Sequence, residues 1–194
     1  MIITKIKPDQ RGLTLIELII AIFIFSIISL ATVSLVLLAF KTYKTAITKT
    51  ELIQNSALAQ EIFTSDLRQA KAIMTSLPSN NTNPQNPPST EIIFQDGHNT
   101  NNITYTRYYL DSSNKLLKKS TWAYYFADNP TIYVTASSTN NGAAPLQISL
   151  GNNVVGENFS NLEFWNQYGA IAAHFILQKN NSQIEKLFRV LPKN

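Results

Sequence analysis

From Leu18 to Phe40 the chain runs 23 residues without a charged side chain, and the residue just before that run is Glu17. As a helix rising about 1.5 Å per residue, the run spans roughly 34 Å, enough to cross the hydrocarbon core of a bilayer. Ser26, Ser29, Thr32 and Ser34 do not break it, because their hydroxyls can bond back to a carbonyl one turn earlier, and small residues permit close helix contact. A secretory signal peptide has a shorter apolar core, about 7 to 15 residues. A plain signal anchor fits the length but gives no reason for Glu17, since an unpaired carboxylate in lipid costs several kcal/mol. Lys5, Lys7 and Arg11 precede the run and Lys41, Lys44 and Lys49 follow it, so flanking charge does not set its orientation.

The residues beyond the span suffice for one core rather than two. The chain has no cysteine, which excludes disulfide staples and thiolate metal sites. Its net charge is +4, of which Lys5, Lys7 and Arg11 against Asp9 supply +2. Charge alone is therefore no nucleic-acid footprint.

Between Lys41 and Leu77 there is neither Gly nor Pro, and the pattern predicts that the helix continues to about Leu77. Leu52, Ala59, Ile62, Phe63, Leu67, Ala70, Ile73, Met74 and Leu77 recur at helical spacing as one apolar stripe. Asp66 interrupts that stripe, and a bond to a sheet amide or to Arg68 would satisfy it. Residues 78–90 hold four of the eight prolines among Ser, Asn and Thr, and read as an exposed, mobile connection. Beyond it come short runs rich in Ile, Val, Phe, Tyr and Thr: 91–95, 103–110, 116–126, 132–135, 146–150, 162–165, 171–177 and 184–191. The clearest hairpin pairs 103–110 with 115–122 across Asp111-Ser112-Ser113-Asn114. The expected class is α+β, a long N-terminal helix packed on an antiparallel, β-rich head spanning 91–194.

Arg11-Gly12-Leu13-Thr14-Leu15-Ile16-Glu17, followed by the apolar run, resembles the signal of type IV pilins and pseudopilins. The resemblance implies a cytoplasmic leader over 1–12, a prepilin peptidase that cuts between Gly12 and Leu13, and methylation of the new amine at Leu13. It implies a helix whose membrane half is 13–40 and whose amphipathic half is 41–77. Glu17 would set the register of assembly by pairing with a neighbouring subunit's amine; a contact with the amine of its own chain is the competing account. The head would lie outside the cytoplasm. The implied partners are other minor subunits, the major subunit, the peptidase and the inner-membrane assembly platform.

Within that superfamily, Asp66-Leu67-Arg68-Gln69-Ala70, the Tyr-rich strand, turn and basic strand of the hairpin, and the closing stretches FSNLEF, AAHFILQ and LFRVLPKN are similar to J-type minor pseudopilins of type II secretion or related minor pilins. The absence of Gly and Pro from Leu13 to Leu77 favours a minor subunit over the bulk subunit of a thick pilus. Glu17 argues against the K-type tip position, whose members typically lack it. The expected role is to help initiate or cap a pilus or pseudopilus.

No catalytic set, cofactor motif or metal site is legible. His98 and His174 stand apart, and there is neither a phosphate-cradling glycine loop nor a G-x-S-x-G elbow. One alternative is a DNA-binding minor pilin of a competence pilus, in which Arg107, Lys115, Lys118 and Lys119 meet phosphates and Tyr105, Tyr108, Tyr109, Trp122 and Tyr124 stack on bases. Aromatics in a strand pair more often serve packing, which makes this the weaker reading. Another is an adhesin-type minor pilin whose contacts lie in loops such as 78–90 or 137–145.

Overall fold

The computed structural model describes residues 14–97 and 102–192. One helix, α1 (Leu15–Arg68), precedes nine strands: β1 (Ala72–Ile73), β2 (Glu91–Asp96), β3 (Thr104–Asp111), β4 (Leu116–Phe126), β5 (Asn129–Val134), β6 (Leu146–Glu157), β7 (Phe159–Gln167), β8 (Ala170–Lys179) and β9 (Ser182–Val190). The class is α+β. The chain divides into two compact units, Met1–Ala46 and Ile47–Asn194.

In the first unit the helix is long and apolar enough to cross a membrane, and the window that qualifies is 0% buried within the protein. Its apolar side chains therefore have no protein core to fill. Three of the four hydroxyls bond back one turn as expected: Ser26 donates to the Ile22 carbonyl at 2.8 Å, and Thr32 and Ser34 to those of Ile28 and Leu30 at 2.9 Å. These three hydroxyls are satisfied inside the helix, as lipid requires.

In the second unit α1 buries Thr48, Leu52, Ser56, Ala59, Phe63 and Leu67, a face repeating every three or four residues. Opposite it lie two antiparallel sheets, one ordered β1-β2-β3-β4-β5 with β6 also on β4, the other β7-β8-β9. Phe63 joins them: its ring lies 5.1 Å from Tyr108 of β3, 5.3 Å from Phe164 of β7 and 6.0 Å from Phe175 of β8. The β3–β4 hairpin has Leu110 opposite Leu117 and Asp111 opposite Leu116. Asp111 closes its turn by accepting from the Asn114 side chain at 3.1 Å and from Lys118 at 2.7 Å.

The helix stops at Arg68, nine residues short of the Leu77 that periodicity predicts. Strand pairing wins over the helical pattern here. The Lys71 amide donates to Gln95, Ala72 and Ile73 pair with Gln95 and Phe94, and the Met74 amide donates to Ile93. Gly97 fits against this turn because a β-carbon there would lie 2.1 Å from the Gln69 carbonyl oxygen. The apolar stripe is still used, with Ala70 buried and Ile73 and Leu77 packed on the core.

Residues 79–87 are exposed, but the ends of this connection are built into sheet bonding. The Asn166 amide donates to Pro78 at 2.7 Å, and Ser89 and Phe164 exchange two backbone bonds at 2.9 and 2.8 Å.

Two outcomes are expected. Phe63→Ala removes the ring shared by both sheets and should destabilise the head by about 3–5 kcal/mol in denaturant unfolding. The hydrogen bond from Lys118, then that from Asn114, lowers the Asp111 carboxyl to about 2. A depressed folded value means the stabilisation is complete above the unfolded carboxylate range and is lost as pH falls toward 2. Lys118→Met should return the Asp111 titration toward about 4, as read by NMR.

Candidate functional site

The peptide bond between Gly12 and Leu13, the expected cleavage and methylation point, lies outside the described residues, as does His98. The description begins at Thr14, and there the junction has a definite geometry. The Thr14 amide and the Thr14 hydroxyl both donate to Oε2 of Glu17 at 2.8 Å, and the Glu17 amide donates back to the Thr14 hydroxyl at 3.4 Å. This reciprocal arrangement is a capping box, which satisfies donors that the first helical turn leaves unpaired. It also sets a carboxylate at the positive end of the helix dipole. Thr14 escapes a reading that weighs only charge and apolarity. The signal for it was present as Thr-x-x-Glu ahead of an apolar run.

The four cations singled out in the head are not gathered into one surface. Lys118 and Lys119 are adjacent in β4, opposite Tyr109 and Tyr108 respectively, so they point to opposite faces of the sheet. Arg107 Nε donates to Glu91 at 2.8 Å, and its guanidinium lies 4.5 Å above the Tyr109 ring. Lys118 is held by Asp111, and that bond raises its pKa. Lys119 pairs with Asp66 of α1. Lys115 is exposed in the turn, with φ at 54°. Three of the four are thus matched by carboxylates of the same chain.

The aromatic residues are likewise used internally. Tyr108 is fully buried and donates its hydroxyl to Asp66 at 2.5 Å; burial, then that bond, pushes the phenol far above its ordinary range. Tyr105 is 4% exposed, stacks on Trp122 at 6.0 Å, meets Tyr124 edge-on at 5.5 Å and accepts from the Ala136 amide. Asp66 therefore satisfies itself with Tyr108 and Lys119, not with a sheet amide or Arg68.

His174, isolated in the sequence, sits between two carboxylates in the second sheet. Its Nδ1 is 3.1 Å from Glu163, and its Nε2 is 3.8 Å from Glu185. Among the described residues no group of three or more His, Cys, Asp or Glu side chains converges as metal ligands would.

Residues 7–33 match the family model described as the prokaryotic N-terminal methylation motif. No curated protein and no solved structure matches the chain. The match covers residues 7–12, the Gly12–Leu13 bond, the capping box and the apolar helix as far as Val33. The matched motif, with an apolar helix long enough to cross a membrane behind it, supports a type IV pilin- or pseudopilin-like protein.

Proposed function

We propose that the chain is a minor pilin or pseudopilin that helps initiate or cap a filament after prepilin peptidase cleaves it between Gly12 and Leu13. The observation that carries this reading is Glu17, the only charged residue from Leu13 to Phe40, placed in the first turn of α1 within the matched motif. Cleavage creates a cationic amine at Leu13, five positions from Glu17 when both ends are counted. Two charges that are each costly in lipid become one pair when Glu17 of one subunit meets the amine of the next. Thr14 holds the carboxylate in place meanwhile, so that the first turn is satisfied before a neighbour arrives.

The minor position is supported by the stretch from Leu13 to Leu77, which lacks the Gly and Pro that distort the membrane helix of many major pilins. The pentad Asp66–Ala70 gives further support. It forms the junction between helix and sheet: Asp66 engages β3 and β4, Leu67 and Ala70 are buried, and the Gln69 carbonyl faces Gly97. In this reading the chain crosses the inner membrane once, with its head outside the cytoplasm. Its partners are the other minor subunits, the major subunit, the peptidase and the assembly platform. A competence or adhesin role would add a ligand to the head, and the pairing of Arg107, Lys118 and Lys119 with Glu91, Asp111 and Asp66 counts against DNA as that ligand.

Mass spectrometry of the chain purified from membranes should find a mature, methylated terminus at Leu13. Glu17→Ala should leave that processing intact while lowering recovery with the other subunits at least about tenfold, the equivalent of about 1.4 kcal/mol. An intact leader in the presence of active peptidase, or normal incorporation of Glu17→Ala, would overturn the proposal.

A further inference from the structure

The edges of the two sheets are not treated alike. β1 is two residues long and follows Lys71, β5 carries Pro130, and β9 carries Glu185, Lys186 and Arg189. These are the ordinary devices that keep a sheet edge from pairing with another chain. In β6 such devices lie only at the margins of Leu146–Ser149: Pro145 precedes the strand, Glu157 ends it, and its pairing with β4 is irregular at Leu150 and Val155. From Leu146 to Gly156 it holds no charge and no proline, and among the described strands it pairs with β4 alone. Leu146, Ile148 and Leu150 are 51, 40 and 43% exposed along that edge. A stretch whose outer amides and carbonyls no described strand pairs, with apolar side chains and neither charge nor proline within it, is a template for a further strand.

The sequence of the edge specifies which strand fits. Leu146-Gln147-Ile148-Ser149-Leu150 has the same chemistry read in either direction. Laid antiparallel on itself about Ile148, it sets Leu146 opposite Leu150, Gln147 opposite Ser149 and Ile148 opposite its own copy. Apolar residues meet apolar ones and polar residues meet polar ones, the condition under which cross-strand pairs stabilise a sheet. With no charge between Leu146 and Gly156, two copies bring no like charges together. The irregularity in β4–β6 pairing between Thr121 and Trp122, where Leu150 is the extra residue, bends the strand and confines straight pairing to this palindromic part. We infer that the Leu146–Leu150 edge of β6 is a self-pairing surface, through which two copies of this chain join as a two-fold dimer.

The chain has no cysteine, so single introduced thiols report contacts without background. Two differently tagged full-length copies would be co-expressed in membranes and oxidised with copper phenanthroline. Ile148→Cys should give a covalent dimer carrying both tags, at a yield at least about tenfold above that of Tyr168→Cys. Tyr168 is 100% exposed and measures random collision. Ile148→Lys places like charges at the two-fold centre, and should lower the dimer fraction at least about tenfold in detergent sedimentation with circular dichroism unchanged. The unmodified dimer should vary by less than about twofold between low and high salt, since no ion pair holds it. Equal yields at positions 148 and 168, linkage only to a different protein, or a dimer that survives Ile148→Lys would each overturn the inference. Should Ile148→Lys disturb the fold, the comparison of the two thiol positions decides by itself.

Discussion

The second unit depends on one buried contact, the ring of Phe63 set between two sheets that do not hydrogen-bond along a shared strand pair. Tyr108 on one side and Phe164, Phe175 and Phe188 on the other all lie within 6.0 Å of it. Each sheet alone would expose an apolar face to water, and the helix removes that cost by covering it. The helix covers both at once because its buried positions, from Leu52 through Ala59 and Phe63 to Leu67, hold a single stripe. Ala59 is small where Gly156 and Phe159 approach, and Phe63 is large where the sheets leave room between them. Alternation of size along the stripe lets one helix serve two surfaces.

Into that apolar contact the chain inserts a carboxylate. Asp66 lies one turn past Phe63 and is only 14% exposed, so its charge is partly withdrawn from water. Lys119 supplies the opposite charge and the Tyr108 hydroxyl a hydrogen bond, both from the sheet beneath. Such a pair adds little net stability, because desolvation offsets much of the attraction, but breaking it by removing one partner leaves the other uncompensated. Its effect is on alignment. A helix slipped by one residue would turn Asp66 away from β3 and β4 and strand both charges.

The fold was legible wherever periodicity and turn chemistry agreed. The span from Leu18 to Phe40, the Lys-rich strand of the hairpin and the apolar run of β8 needed no tertiary knowledge. Errors fall where a distant strand decides. Residues 69–77 keep a helical pattern because Ala70, Ile73 and Leu77 face the core, yet β2 recruits them as an edge. β6 extends to Glu157, past the Leu150 at which Gly151-Asn152-Asn153 suggests a turn, because β4 pairs along its whole length. The partners of Asp66 lie 42 and 53 positions away, beyond the reach of local reading. The capping box at Thr14 is the opposite case, local and readable, hidden only because Glu17 invited an explanation through lipid and charge.

Charge placement ties these regions together. The apolar helix admits one carboxylate, and its first turn is built to hold it. The sheet face toward the helix admits Lys119 only where Asp66 waits for it, and the opposite face places Arg107 and Lys118 beside Glu91 and Asp111. In each case a charge close to apolar surface has an assigned counterpart, so electrostatic cost falls where a partner is already fixed. The β6 edge follows the complementary rule. It carries no charge from Leu146 to Gly156 and thus nothing that would repel a strand laid beside it. Arg107, Lys118 and Lys119 are thus engaged within the chain. What it leaves unsatisfied is apolar surface and backbone, the means by which one structural subunit holds another.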